Sequence, residues 1–322
     1  MHNMTKVVAL SSFPHEFDYE RAQYGQRNDI DFSISAAKAP ADVIPVIRDA
    51  DVVLFTDVSF DRNILDSLKK CKLIIRYGIG YDNIDWKYAA EKGIIVCNAP
   101  NYGVTDVAEH AISLILACAK RVIYMNDCVR DNIWSTGAMG QSVRLAGKTV
   151  GFVGFGKIAR CVCKRTNAFD TKALVYDPFV SEDALAEYNA TCVDLDTLLR
   201  ESDFISLHLP LNPNTRHMID MDAFRKMKQT AVIVNTSRGG IIKEADLIDA
   251  LEQGLIAGAG LDVFEDESGN LDQHILNHKM VALTPHVAWN TKEAAAALHK
   301  EVTDNVLRYV DGNRPESIVN GL

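Results

Sequence analysis

Three short stretches of this chain carry side chains able to hold an anion and move a proton. Asn235-Thr236-Ser237-Arg238-Gly239-Gly240 offers a guanidinium, Leu261-Asp262-Val263-Phe264-Glu265-Asp266-Glu267 offers carboxylates, and Thr284-Pro285-His286 offers an imidazole. Each begins at or near the end of an apolar, strand-like run: Ala231 to Asn235, Ile256 to Asp262 and Met280 to Thr284. In an open α/β sheet the carboxyl ends of the strands border the ligand crevice. An arginine there can grip a carboxylate through two parallel hydrogen bonds and polarise the neighbouring carbonyl, while a histidine gives or takes the proton. A glutamate beside the histidine would fix its tautomer and favour its charged form; on the residues alone, Glu265 and Glu267 both qualify. Taken singly, Arg238 would read as an ion-pair residue and His286 as a structural histidine, so the weight lies in their order and their company.

That company is Gly151-Phe152-Val153-Gly154-Phe155-Gly156-Lys157-Ile158-Ala159. The run Thr149 to Val153 predicts a buried strand, Gly154 and Gly156 a tight turn that lets the backbone approach a pyrophosphate, and Lys157 onward a helix whose amides face the anion. A second apolar run, Ala173 to Tyr176, ends on Asp177 about 20 residues later, where a carboxylate accepts bonds from ribose hydroxyls and repels a 2′-phosphate. The pattern therefore predicts NAD, with NADH preferred to NADPH. Beside a nicotinamide, a cation, a carboxylate and an imidazole are the parts needed to pass a hydride and a proton between a carbonyl and an alcohol.

The elements that must position these groups alternate in type. In the first hundred residues apolar runs at Lys6 to Leu10, Asp51 to Phe55, Leu73 to Tyr77 and Ile94 to Asn98 are separated by helical or turn segments, which predicts a small α/β domain. Asp106 and Glu109 resemble a capping box opening a long apolar helix, Val107 to Arg121, able to bridge two domains. Beyond the glycine turn, Phe204 to Leu207, Ala231 to Asn235, Ile256 to Asp262 and Met280 to Thr284 continue the alternation, predicting a parallel, doubly wound sheet. A last helix, Thr291 to Val310, is expected to return to the first domain. The expected division is 1–102 with 289–322, a discontinuous domain, and 103–288, inserted into it.

A chain of 322 residues that is 48% hydrophobic can bury two cores. A net charge of −9 without a long basic run argues against nucleic acid. No apolar run approaches the roughly 18 residues of a membrane span, and the N-terminus lacks a signal-peptide pattern, so no membrane association and a cytoplasmic location are expected. The seven cysteines, Cys71, Cys97, Cys118, Cys128, Cys161, Cys163 and Cys192, are scattered without a C-x-x-C pair and read as small core residues in a reducing compartment. No metal is expected. His208 and His217 read as structural or peripheral to the cofactor.

In this order the motifs resemble the D-isomer-specific 2-hydroxyacid dehydrogenase family. Arg76-Tyr77-Gly78-Ile79-Gly80-Tyr81-Asp82-Asn83-Ile84-Asp85 resembles its substrate loop, and Asn98-Ala99-Pro100 through Ala108-Glu109-His110-Ala111 its first hinge and helix. The resemblance implies two parallel-sheet α/β domains, a flavodoxin-like substrate domain and a Rossmann NAD domain, paired as a homodimer through the latter. It implies that Arg238 binds the substrate carboxylate and carbonyl, that Glu267 pairs with His286 as acid and base, and that the amides of Ile79 and Gly80 grip the carboxylate. Asp262 would contact the nicotinamide carboxamide, Thr105 would lie by the cofactor, Asp177 would hold the ribose, and the phosphates would rest on Gly154 to Ile158, Gly156 and Lys157 included. Tyr77 and Trp289 are candidates for the substrate pocket, with Tyr81 and Tyr102 also near the expected cleft.

Two departures stand out: Ser268 follows Glu267 where the family often has proline, and Val-Ala-Trp follows His286 where many relatives are glycine-rich. The implied activity is the NAD-dependent interconversion of a 2-oxo acid and a D-2-hydroxy acid. D-3-phosphoglycerate oxidation is an alternative, for which Arg76 is the one cation to nominate, and an NAD(H)-sensing corepressor-like role is a further one, since such proteins share these motifs. The acid itself is not readable from the chain.

Overall fold

The computed structural model describes residues 4–12, 17–135, 137 and 142–322. The chain forms two compact units, 1–103 with 291–322, and 104–290. In the first, β1 (Thr5–Leu10), β2 (Ile30–Ser35), β3 (Val52–Phe55), β4 (Leu73–Arg76) and β5 (Ile95–Cys97) alternate with α1 (Asp18–Tyr24), α2 (Pro40–Ile47), α3 (Arg62–Ser67) and α4 (Trp86–Glu91). All neighbouring strands are parallel, in the order β2-β1-β3-β4-β5, the flavodoxin-like arrangement. The central strands are near-continuous apolar runs because helices cover both faces; Val52, Val53, Leu54 and Phe55 are all fully buried. Strand β2, Ile-Asp-Phe-Ser-Ile-Ser, was not expected: it lies at the sheet edge, alternates apolar with polar, and presents no continuous hydrophobic run.

The second unit opens with α5 (Val104–Lys120) and α6 (Val122–Arg130). Then follow β6 (Thr149–Val153), α7 (Lys157–Asn167), β7 (Lys172–Tyr176), α8 (Glu182–Ala186), β8 (Ala190–Cys192), α9 (Leu195–Glu201) and β9 (Phe204–Leu207). The unit closes with α10 (Met221–Lys226), β10 (Val232–Asn235), α11 (Glu244–Glu252), β11 (Gly258–Leu261), α12 (Gln273–Asn277) and β12 (Val281–Leu283). Its seven strands are all parallel in the order β12-β11-β10-β9-β6-β7-β8. Strand order reverses between β6 and β9, the switch point where an α/β sheet opens a ligand crevice. The expected capping box is displaced: α5 starts at Val104, so Asp106 sits inside its first turn, where a carboxylate still complements the helix dipole.

Helix α13 (Lys292–Val310) follows, in the first unit, with the Thr291 hydroxyl accepting from the Ala294 amide at 3.0 Å as its N-terminal cap. The cysteines form no disulfide. Cys71, Cys97, Cys128 and Cys163 are buried, Cys118 and Cys161 are half-buried, and Cys192 is exposed because β8 is an edge strand. None of the helices of the described residues is long and apolar enough to cross a membrane.

Candidate active site

The glycine turn joins β6 to α7. Gly154 has φ +86, and a Cβ there would stand 2.5 Å from the His208 carbonyl oxygen, so only glycine fits. Its amide donates to Tyr176 O at 2.9 Å, tying the turn to β7. Gly156 caps α7 with no side chain over the first turn, and a Cβ at that position would meet nothing within 4 Å. An eleven-residue helix thus presents an uncovered N-terminus at the switch point, where an anion is stabilised by aligned amides. Asp177, just past β7, accepts from the Phe155 amide at 2.8 Å and the Phe179 amide at 2.9 Å, so its carboxylate is held beside the turn. Gly154, Gly156, Ile158 and Asp177 therefore fit a dinucleotide; Lys157 is exposed on the first turn of α7.

Arg238, Glu267 and His286 follow β10, β11 and β12, three adjacent strands. The Asn235 side chain shapes the first of these turns: its amide donates to Arg238 O at 2.9 Å and its oxygen accepts from the Ser237 amide and hydroxyl at 3.0 and 2.8 Å. A Cβ on Gly239 would lie 1.9 Å from the Phe264 backbone, so the turns after β10 and β11 touch main chain to main chain. Glu267 Oε2 lies 2.8 Å from His286 Nδ1, while Glu265 pairs instead with His217. The two candidate glutamates are thereby distinguished. Burial pushes the Glu267 carboxyl up, but the bond and charge of His286, the Phe264 amide and the Arg238 charge outweigh it and hold it below the usual carboxylate range.

His286 itself adopts φ +54, left-handed backbone that a side chain rarely takes. The buried Asp262 holds it there. Its carboxylate accepts from Thr284 Oγ1, from the Val287 amide at 3.0 Å and from the Ala288 amide at 2.9 Å, and its backbone oxygen from the His286 amide at 2.7 Å. With Thr284 donating to Asp262, His110 Nε2 must donate to Thr284 Oγ1, 2.9 Å away, which fixes the His110 tautomer. Asp262, expected to face a carboxamide, thus spends its carboxylate on the turn that bears His286. His110 and Thr284 escaped assignment because their work depends on a partner 174 residues away in the chain.

In the first unit, the loop after β4 places Ile79 and Gly80 half-exposed. Their N–H groups donate to no backbone carbonyl among the described residues. The Ala99 amide donates to Gly78 O at 3.0 Å and Asn98 Nδ2 to Ile79 O at 2.7 Å. Each peptide plane is trans, so pinning those two carbonyls aims the amides of Ile79 and Gly80 the opposite way and polarises them for an anion. Tyr77, a candidate pocket residue, is instead buried, its hydroxyl donating to Glu20 at 2.7 Å. Thr105 is exposed in the first turn of α5, and Trp289, Tyr81 and Tyr102 are half-buried. His208 is half-buried and stacked on Phe152 with Nε2 2.8 Å from Ser206 Oγ, and desolvation pushes its imidazole down from 6.5 to about 3, so it stays neutral. Among the described residues no cluster of three or more His, Cys, Asp or Glu side chains is placed to hold a metal.

A seven-stranded parallel sheet wound about a glycine turn, with an acidic strand end beside it, defines a Rossmann dinucleotide-binding domain. Residues 112–288 match the model of the D-isomer specific 2-hydroxyacid dehydrogenase NAD binding domain. A glyoxylate reductase of Thermococcus litoralis is 40% identical over 278 residues, 84% of this chain and 83% of its own. A D-3-phosphoglycerate dehydrogenase of Archaeoglobus fulgidus is 33% identical over 94% of this chain, which spans 57% of that relative's length. The structure of D-lactate dehydrogenase from Aquifex aeolicus, complexed with NAD and lactic acid, superimposes with a TM-score of 0.90 at 29% identity, covering 99% of this chain and all of that one. The chain belongs to the D-isomer specific 2-hydroxyacid dehydrogenase family, and it is an NAD-dependent enzyme of that family.

Proposed function

We propose that the enzyme interconverts a 2-oxo acid and a D-2-hydroxy acid with NADH in preference to NADPH, using Arg238, Glu267 and His286. The observation that carries this reading is the 2.8 Å contact of His286 Nδ1 with Glu267 beside the Arg238 turn. With Nδ1 occupied by a carboxylate, Nε2 is the nitrogen left to hand a proton to the substrate oxygen. Glu267 stabilises the imidazolium before that transfer and fixes the ring. Arg238 holds the substrate carboxylate and draws charge from the carbonyl. When bound, NAD(H) supplies or receives the hydride; Gly154 to Ile158 would hold its phosphates and Asp177 its ribose, with Thr105 nearby. Asp177, already gripped by two amides, resists being displaced by a 2′-phosphate, which supports the preference for NADH.

In the first unit the amides of Ile79 and Gly80 serve as carboxylate donors, and we read that unit as the substrate domain. We also read Asp262 as keeping its carboxamide contact only through its turn, and Trp289 as a side chain that tunes substrate size. The expected solution state is a cytoplasmic homodimer paired through the NAD domain.

The test is NADH and NADPH oxidation with glyoxylate, hydroxypyruvate, pyruvate, 2-oxobutyrate, 4-methyl-2-oxopentanoate, phenylpyruvate and phosphohydroxypyruvate. Turnover of at least one with NADH is expected. His286→Ala should then lose about 10²- to 10⁴-fold in kcat with the NADH Kd unchanged. Near-normal turnover by that variant would remove His286 from the mechanism.

A further inference from the structure

We propose that Glu20, Tyr77 and His299 form a buried hub that sets the backbone of residues 78–80 and so governs the KM for the 2-oxo acid. The proposal rests on the reading that the Ile79 and Gly80 amides take the substrate carboxylate.

Glu20 is fully buried, and an unpaired carboxylate in such a place is costly. Its Oε1 accepts from the Tyr77 hydroxyl at 2.7 Å and lies 2.7 Å from His299 Nδ1; its Oε2 is buried without a hydrogen-bond partner among the described residues. The rings of Phe17, Tyr77 and His299 pack on one another with centroids 5.5 to 5.8 Å apart. Three elements therefore converge on one oxygen: α1 through Glu20, the end of β4 through Tyr77, and α13 through His299. Plain hydrophobic packing would join them without a buried charge. What the charge adds is direction, because a tyrosine hydroxyl bound to a carboxylate has one position along the ring axis, whereas an apolar ring can slide.

That direction matters one peptide bond further on. Gly78, at φ +137, is the loop's point of freedom, since glycine alone tolerates that region. On its far side the carbonyls of Gly78 and Ile79 are pinned by Ala99 and Asn98. On its near side Tyr77 is fixed twice, by its amide to Phe55 O at 2.8 Å and by its hydroxyl to Glu20. With both flanks held, the permissive glycine has one conformation available and the two amides keep their aim. The hub is a set of positioning residues; nothing assigns it contact with reacting atoms.

The test compares Tyr77→Phe and Glu20→Gln with the wild-type enzyme. For Tyr77→Phe the KM of the best 2-oxo acid should rise about tenfold, with kcat and NADH Kd within about twofold, because ground-state grip on the carboxylate is lost while the acid/base pair is untouched. Deuterium uptake at residues 77–81 should quicken, and uptake at 149–176 should not. Glu20→Gln keeps the volume and an acceptor for Tyr77 but loses the charge facing His299, so it should fall between the two and serves if Tyr77→Phe does not fold. An unchanged KM together with unchanged uptake in a folded variant overturns the hub. Silence of the wild-type enzyme toward every 2-oxo acid would refute the functional reading instead, and uptake at 77–81, which needs no turnover, would still decide the hub.

Discussion

His286 combines a half-exposed imidazole with a backbone conformation of about 1 kcal/mol or more in cost, and Asp262 is the side chain that sustains it. Asp262→Asn would set an amide nitrogen against a donor it now accepts from. The expected outcome is a stability loss of about 1–3 kcal/mol in thermal or urea unfolding, together with a fall in kcat as the turn relaxes. Glu267→Gln tests the neighbouring charge. Because its partners hold Glu267 below the usual carboxylate range, it is ionised throughout neutral pH and keeps a carboxylate against His286 Nδ1. Removing that charge should lower kcat by about tenfold or more with the NADH Kd unchanged, read in steady-state kinetics and fluorescence titration; an unchanged kcat would dissociate Glu267 from the proton transfer. At this scale the chain was partly transparent. Arginine, acid and histidine stood out because each ends a strand-like run, but Glu265 and Glu267, two apart in one loop, could be separated only by seeing that His217 claims the first.

Among the elements, the turn between β6 and α7 tolerates least change. Gly154→Ala would bring a Cβ within 2.5 Å of the His208 carbonyl at φ +86, so the turn must shift. NADH binding, measured by fluorescence titration, should weaken by at least about tenfold, because the amides of α7 no longer point at one place. Thr291→Ala should cost about 1 kcal/mol through loss of the cap on α13, read in the unfolding midpoint. Most central strands were readable as apolar runs because burial on both faces demands them. Strands β2 and β8 were not: both lie at sheet edges and carry polar residues, as in Asp-Phe-Ser and Ala-Thr-Cys, whereas the edge strands β5 and β12 keep the apolar runs Ile-Val-Cys and Val-Ala-Leu. The start of α5 was misplaced by three residues for a related reason: Asp and Glu serve equally well as a cap or in the first turn, and only geometry separates the two.

For the molecule as a whole, His208 makes acid stability predictable. Its imidazole is pushed down to about 3 by burial, against 6.5 when exposed, so above 6.5 neither the folded nor the unfolded chain protonates it. As the pH falls from 6.5 toward 3 the unfolded chain takes up a proton that the folded one refuses, so this residue lowers stability in that window. Urea unfolding at pH 7 and pH 5 should show a larger loss of stability on acidification in the wild-type enzyme than in His208→Asn. The order of strands, by contrast with the alternation that announced them, came with the family resemblance and not from the residues themselves, because pairing joins segments such as β6 and β9 that are far apart in sequence. One exposed thiol among six that are buried or half-buried has a practical side. Burial raises Cys71, Cys97, Cys118 and Cys163 to about 12, so they are thiols rather than thiolates at neutral pH. Cys192, on the rim of the second sheet, is thereby a ready-made handle: a maleimide dye should take each chain of the native enzyme at one point, with no engineered residue.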